Sequence, residues 1–235
     1  MDRLLSTKDA QGYGIIDAAD QRGYKNRYID CLQKLALERE NVFGAPGVVL
    51  DFGCGVGRLS SWLGERCHRV YGIDVSPELI HTAREYNGRD NVLYCVFDGM
   101  DLPFACQQFD GILCVGVLHK RIFPQPKFSH VVTEFARVLK PTGTVVVIEH
   151  IYGRKHPLYY AREELLAIFQ QQYFHCVSAY PIRKGHWPLL YLMRFGGIPP
   201  RFFPSLAHYE LERRRYQRES RFDYKDFLLR FAKKA

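Results

Sequence analysis

Long apolar runs are missing from this sequence of 235 residues: no stretch reaches roughly 18 apolar residues, so no membrane-spanning helix is expected. The opening residues, Met1-Asp2-Arg3-Leu4-Leu5, carry no long apolar segment, so a secretory leader is not expected and a cytoplasmic location is. Paired cysteines are also lacking. The seven cysteines (31, 54, 67, 95, 106, 114 and 176) are odd in number and form no CxxC pair, which argues against a disulfide framework and a zinc site. Several lie inside apolar runs such as Gly111-Ile112-Leu113-Cys114-Val115 and read as reduced core thiols. Internal repeats, low-complexity tracts and a true linker are absent as well, which excludes solenoids and disordered chains.

What is present is ordinary for a packed domain: 47% apolar and 25% charged residues in a chain long enough for one large domain with elaborations. The net charge of +8 would suit a polyanion, but charge by itself does not make a nucleic-acid protein. Helical spacing of apolar residues predicts a first helix over 26–43. Strands are predicted at 47–52, 69–74, 91–97, 109–117 and 143–149, with helices beginning near Arg58 and over 77–86 and 128–139. Beyond these, 161–172 reads as helix, 174–183 as strand and 227–233 as a short last strand. Strands alternating with helices, several apolar throughout, predict a doubly wound parallel sheet covered on both faces. Residues 1–235 read as a single domain: 1–28 as an N-terminal lid, 47–150 as a core, and 151–222 as additions that include an insertion at 184–222.

The first strand runs into Gly53-Cys54-Gly55-Val56-Gly57 and then a helix. In an open α/β sheet this turn, at the carboxyl ends of the strands, lets backbone approach a ligand. Asp74 ends the second strand, near the offset at which a carboxylate accepts from ribose hydroxyls. Ser76 before Pro77 is itself a good helix cap, which releases Asp74 from that duty. Asp98, ending the third strand, could accept from an adenine amino group.

Leu50-Asp51-Phe52-Gly53-Cys54-Gly55-Val56-Gly57-Arg58, Gly72-Ile73-Asp74-Val75-Ser76, Asp98-Gly99-Met100-Asp101-Leu102-Pro103-Phe104, Phe109-Asp110-Gly111-Ile112-Leu113 and Arg137-Val138-Leu139-Lys140-Pro141-Thr142-Gly143 occur in that order. Over residues 47–150 the chain resembles the class I S-adenosylmethionine-dependent methyltransferases. The resemblance implies a Rossmann-like sheet of seven strands, mostly parallel with an antiparallel last strand. It further implies that the Gly53–Gly57 loop, with Cys54 and Gly55, lies along the methionine part of S-adenosylmethionine, supported by Asp51. Asp74 would meet the ribose, Ile73 or Val75 the adenine face, and Asp98 the adenine amino group with Gly99 and Met100 beside it. Cys114 to Gly116 would face the methyl group.

For proton transfer the candidates are His119, just past the fourth strand, and His150, at the end of the fifth, with Glu149 directed to the opposite face of a regular strand. Tyr24 and Tyr28 in the lid, and Trp187 and Tyr191 in the insertion, are candidate substrate contacts, the insertion's aromatics being numerous enough to roof a pocket. No Asn-Pro-Pro-Tyr motif, Pro-Cys pair or metal-ligand set follows the fourth strand. The expectation is a small or medium acceptor, methylated at O, N or C, with nucleic acid a less favoured partner. The alternatives are an RNA or protein methyltransferase and a catalytically silent cofactor- or partner-binding protein. The oligomeric state is left open.

Overall fold

The computed structural model describes residues 12, 16–41, 43, 47–151, 156–184, 188–214 and 225–234. Seven strands, β1 (Val48–Phe52), β2 (Arg69–Asp74), β3 (Val92–Val96), β4 (Phe109–Val115), β5 (Leu139–Ile151), β6 (Phe174–Lys184) and β7 (Lys225–Lys233), form one sheet. Its order is β3-β2-β1-β4-β5-β7-β6, with β1 to β5 parallel and β7 antiparallel to both β5 and β6. The helices are α1 (Tyr24–Glu40), α2 (Arg58–Gly64), α3 (Pro77–Tyr86), α4 (Gln125–Val138), α5 (Arg162–Gln171), α6 (Pro188–Arg194) and α7 (Phe203–Arg214), with a 3-10 turn at Pro200–Phe202.

Alternation along the strands divides the interior in two. Leu50, Phe52, Ile112, Val145 and Val147 face α4 and α5, while Val49, Leu113, Val146 and Ile148 face α1, α2, α3, α6 and α7. Because both faces are covered, the central strands read as unbroken apolar runs. Two strands are longer than their composition predicts. β5 spans 139–151 and β7 spans 225–233, because the pairing of the two continues past the apolar residues to His150 opposite Asp226 and Ile151 opposite Lys225. The first helix starts earlier than predicted and stops at Glu40, where Asn41 turns left-handed at φ 50°.

Among its described residues the insertion carries α6, the 3-10 turn and α7. It packs on α1 and β6 as part of the helical layer rather than roofing a pocket. Phe52, at the end of β1, is fully buried, with its ring 5.0 Å from that of Phe135 and 5.4 Å from that of Phe97. Phe52→Ala should cost about 3–5 kcal/mol, read as a lowered urea midpoint at unchanged slope. A loss below about 1 kcal/mol would mean that its neighbours close over the gap.

Candidate functional site

β1 hands the chain to α2 through Gly53–Gly57, and the loop is tied to β2 by the Gly53 and Cys54 N–H groups, which both donate to the Ile73 carbonyl at 2.8 and 2.9 Å. Gly53 is left-handed at φ 72°, and a Cβ there would lie 2.4 Å from Val117 Cγ2, so glycine is required on both counts. Asp74 holds the other side of the loop: its Oδ2 accepts from the Gly55 N–H at 2.9 Å and its Oδ1 from the Ser76 N–H at 3.0 Å. Ser76 caps α3, its hydroxyl accepting from the Leu79 N–H at 3.3 Å. Beneath the loop, buried Asp51 accepts from the Ser60 hydroxyl at 2.5 Å, and burial pushes its carboxyl up to about 6.

Two cavities open at the carboxyl edge of the sheet and share Gly53, Gly55, Val115, Gly116 and His119 as walls. The larger, about 600 Å³, is walled by apolar side chains such as Val75, Leu79, Phe97 and Ile122, with the Asp74 carboxylate among them. The smaller, about 270 Å³, is the more polar of the two, walled by Gln33, Asp51, Arg58, Glu149, His150 and Asp226 together with apolar side chains such as Ile29 and Leu59. Gly116 stands between them in a left-handed conformation (φ 69°), and a Cβ there would meet nothing within 4 Å. A flat apolar group with hydroxyls fits the first chamber, and a charged polar group the second.

Strand register builds the far wall of the polar cavity. His150 of β5 lies opposite Asp226 of β7, which in turn lies opposite Arg183 of β6. The three side chains follow this row: His150 Nδ1 hydrogen-bonds Asp226 Oδ1, and Arg183 Nε donates to Asp226 Oδ2 at 2.6 Å. Arg183 and His150 hold the buried Asp226 carboxyl far below the usual range, and Asp226 overcomes desolvation to raise His150. Glu149 lines the same cavity instead of facing away. Its Oε1 accepts from the Val117 and Leu118 N–H groups at 2.6 and 2.7 Å, which ties β5 to the segment after β4, and burial pushes its carboxyl up to about 7. His119, whose ring lies edge-on to Tyr159 at 5.0 Å, is lowered by burial and by Arg121 and His156.

The sequence-predicted residues divide. Asp51, Gly53, Cys54, Gly55, Asp74, Val75, His119 and His150 all line the cavities. Gly57 instead caps α2. Asp98, Gly99 and Met100 form a turn in which Asp98 Oδ1 accepts from the Met100 and Asp101 N–H groups at 2.8 and 3.1 Å, outside the walls of both cavities. Cys114 is also outside: strand alternation sends its side chain into the core beside Phe52, so that Val115 and Gly116 are the cavity residues of that strand.

Tyr28 is fully buried, donating to Glu210 and packing edge-on to Phe203 at 5.6 Å; it joins α1 to α7 and lines neither cavity. Tyr24 packs over the turn at Gly196, and Tyr191 is exposed on α6, neither lining a cavity. Trp187 lies outside the described residues. From the predicted lid, Gly12 and Ile16 line the polar cavity. Arg58 closes the glycine-loop motif but was given no role from it, and Arg183, Asp226, Tyr159 and Gln33, which also line the polar cavity, belong to no recognisable motif.

The Glu149 shift fixes a pH dependence. Between its unfolded value near 4.5 and its folded value of about 7, the native chain keeps a proton the unfolded chain has lost, so stability falls as pH rises through that window. Glu149→Gln keeps an acceptor for the two N–H groups without the charge. Its urea midpoint should fall less steeply than that of the wild type between pH 5 and 7.5. Parallel profiles would place the charge of Glu149 in a solvated setting.

Comparison with known proteins agrees with this geometry. The methyltransferase domain family matches residues 50–147. The chain is 35% identical over 108 residues to the demethylmenaquinone methyltransferase of Tropheryma whipplei, covering 46% of this chain and 43% of that one. It is 36% identical over 104 residues to the tRNA U34 carboxymethyltransferase of Hahella chejuensis, covering 42% and 31%. The match thus spans less than half the length of these curated relatives. Among solved structures, the geranyl diphosphate C-methyltransferase of Streptomyces coelicolor, in complex with Mg2+, geranyl diphosphate and S-adenosyl-L-homocysteine, superposes with a TM-score of 0.61 at 16% identity, covering 86% of this chain and 77% of that one. Matched domain, sheet order and glycine loop coincide on the same residues: residues 50–147 form a methyltransferase domain, carried on the seven-stranded Rossmann-like sheet.

Proposed function

We propose that this protein methylates a small or medium acceptor, such as a natural product, a sugar or a lipid-linked intermediate, using S-adenosylmethionine. The observation that carries this reading is the pair of cavities meeting at Gly53, Gly55, Gly116 and His119: one is mostly apolar with the Asp74 carboxylate on its wall, and the other is smaller, more polar and lined by two histidines. The residues fit the cofactor. Asp74 borders the apolar chamber as an acceptor for ribose hydroxyls, and the open Cβ position of Gly116 leaves room where the chambers join. When bound, S-adenosylmethionine supplies a methyl group on a sulfonium, an electrophile that needs an aligned nucleophile and little else.

The two histidines are suited to different duties. His119 Nδ1 accepts from the Arg121 N–H at 3.2 Å, so the neutral ring carries its proton on Nε2 and offers a donor. His150 has Nδ1 against the Asp226 carboxylate, which places the proton on Nδ1 and makes Nε2 basic. His150 is therefore the general base for a hydroxyl acceptor, Asp226 its positioning residue, and His119 a contact that orients. Glu149 holds the backbone between them, and Gly12 and Ile16 help exclude water.

RNA is the second reading, favoured by the tRNA-modifying relative and the charge of +8. Against it, described arginines such as Arg39, Arg66 and Arg137 are paired with the carboxylates Glu212, Glu38 and Glu134.

Titration calorimetry should show binding of both S-adenosylmethionine and S-adenosylhomocysteine, weakened more than about tenfold in Asp74→Ala. Unchanged affinity would remove Asp74 from the ribose. A labelled-methyl screen over small-molecule and RNA pools should label the small-molecule fraction, and label confined to RNA would select the second reading. With the acceptor in hand, His150→Gln should lower kcat by about a hundredfold and abolish the acidic limb of the pH profile, with cofactor affinity retained. His119→Ala should raise the acceptor KM more than it lowers kcat; the reverse pattern would exchange the two roles.

A further inference from the structure

The insertion turns an apolar face to solvent. In α6, Leu190 and Met193 are buried among α1 and α7, whereas Pro188, Tyr191, Leu192 and Phe195 recur at three- and four-residue spacing on the opposite face and are exposed. Tyr191, Leu192 and Phe195 are 54%, 53% and 69% exposed, and Phe202 continues the surface past Pro199-Pro200. A surface helix in a globular chain normally carries polar residues on its outer face; this one is apolar on both.

Charge identifies what the face suits. From Pro188 to Tyr209 the sequence holds no Asp or Glu, while Arg194 and Arg201 fall within that stretch. Arg201 lies over the Phe202 ring at 5.0 Å, on the exposed surface. Exposed aromatic and leucine side chains beside an exposed arginine match the headgroup layer of an anionic bilayer: the apolar groups enter the acyl boundary and the Arg201 guanidinium meets phosphate, while Arg194 is set against Asp17. Exposed aliphatic Leu192 fits acyl chains better than it fits nucleic-acid bases.

The patch is joined to the site. Arg22 donates to the Phe195 carbonyl at 2.9 Å and Arg194 to the Ala19 carbonyl, so the insertion is tied to residues 16–22, of which Ile16 lines the polar cavity. We propose that α6 and the turn at Pro199–Phe202 dock on an anionic lipid surface, bringing the cover of the polar cavity to the bilayer. This inference stands independently of which acceptor is methylated.

Cosedimentation of the full chain tests it, with vesicles of phosphatidylcholine alone and of equal parts phosphatidylcholine and phosphatidylglycerol. The chain should bind the mixed vesicles about tenfold or more tighter than the neutral ones, and raised salt should weaken the difference. The double substitution Leu192→Asp and Phe195→Asp should reduce binding by about tenfold or more at an unchanged urea midpoint, since both side chains are exposed. Arg201→Glu should lower the preference for the anionic vesicles. Equal binding by wild type and the double variant overturns the proposal, as does absence of binding to the mixed vesicles. A dimer dissolved by the same double substitution, or retention of RNA in place of vesicles, also overturns it and gives the face to that occupant.

Discussion

The insertion of β7 between β5 and β6 is the constraint on which this molecule most depends. Its nine residues satisfy the backbone groups of two neighbours at once, send Phe227, Leu229 and Phe231 into one core and Leu228 into the other, and bring Asp226 between His150 and Arg183. The same register that closes the sheet thus assembles the polar wall of the site. A slip by one residue would turn Asp226 to the opposite face and exchange the two apolar sets, so core packing fixes the geometry of the histidine with no further device.

The electrostatics of the site follow from depth within the sheet edge. Asp226 keeps its charge because a guanidinium and an imidazole face it inside the fold, whereas Asp51 and Glu149, equally buried, meet mainly hydroxyl and amide donors and drift upward. Three carboxylates around one small cavity therefore hold different protonation preferences near neutrality. Such separation lets one group remain an anion while others act as neutral hydrogen-bonding groups.

Much of the cofactor half was legible because its signals are local. The Gly53–Gly57 turn, Asp74 at the next strand end, and Ser76 taking over the cap each depend on a few consecutive residues, and Asp74 and Ser76 hold the positions their spacing predicts. The rest of the site was hidden by chain separation: His150 and Asp226 are 76 residues apart, and only strand register makes them partners. Its one trace in the sequence was a charged pair, Lys225-Asp226, leading into the apolar run Phe227-Leu228-Leu229. The aromatics of the added segments misled for a related reason. Tyr28 and Tyr24 serve helix contacts, and an aromatic that packs α1 against α7 is written in the sequence with the same letters as one that covers a ligand. Cys114 failed on parity, one residue short of the cavity edge.

The late position of β7 in the chain also shapes how the molecule is made. β5 is complete at Ile151, yet its partner along that edge does not begin until Lys225. Throughout the intervening synthesis the Val145–Ile148 run exposes an unsatisfied, strongly β-prone edge, the kind of surface that pairs readily with a neighbouring chain. The helices α6 and α7 precede β7 in the chain and pack on α1 and β6 in the finished fold, whereas β6 has β7 as its strand partner and joins the sheet through it. Joining β7 to β5 is accordingly the strand pairing of highest sequence separation and the one on which slow folding and self-association would concentrate.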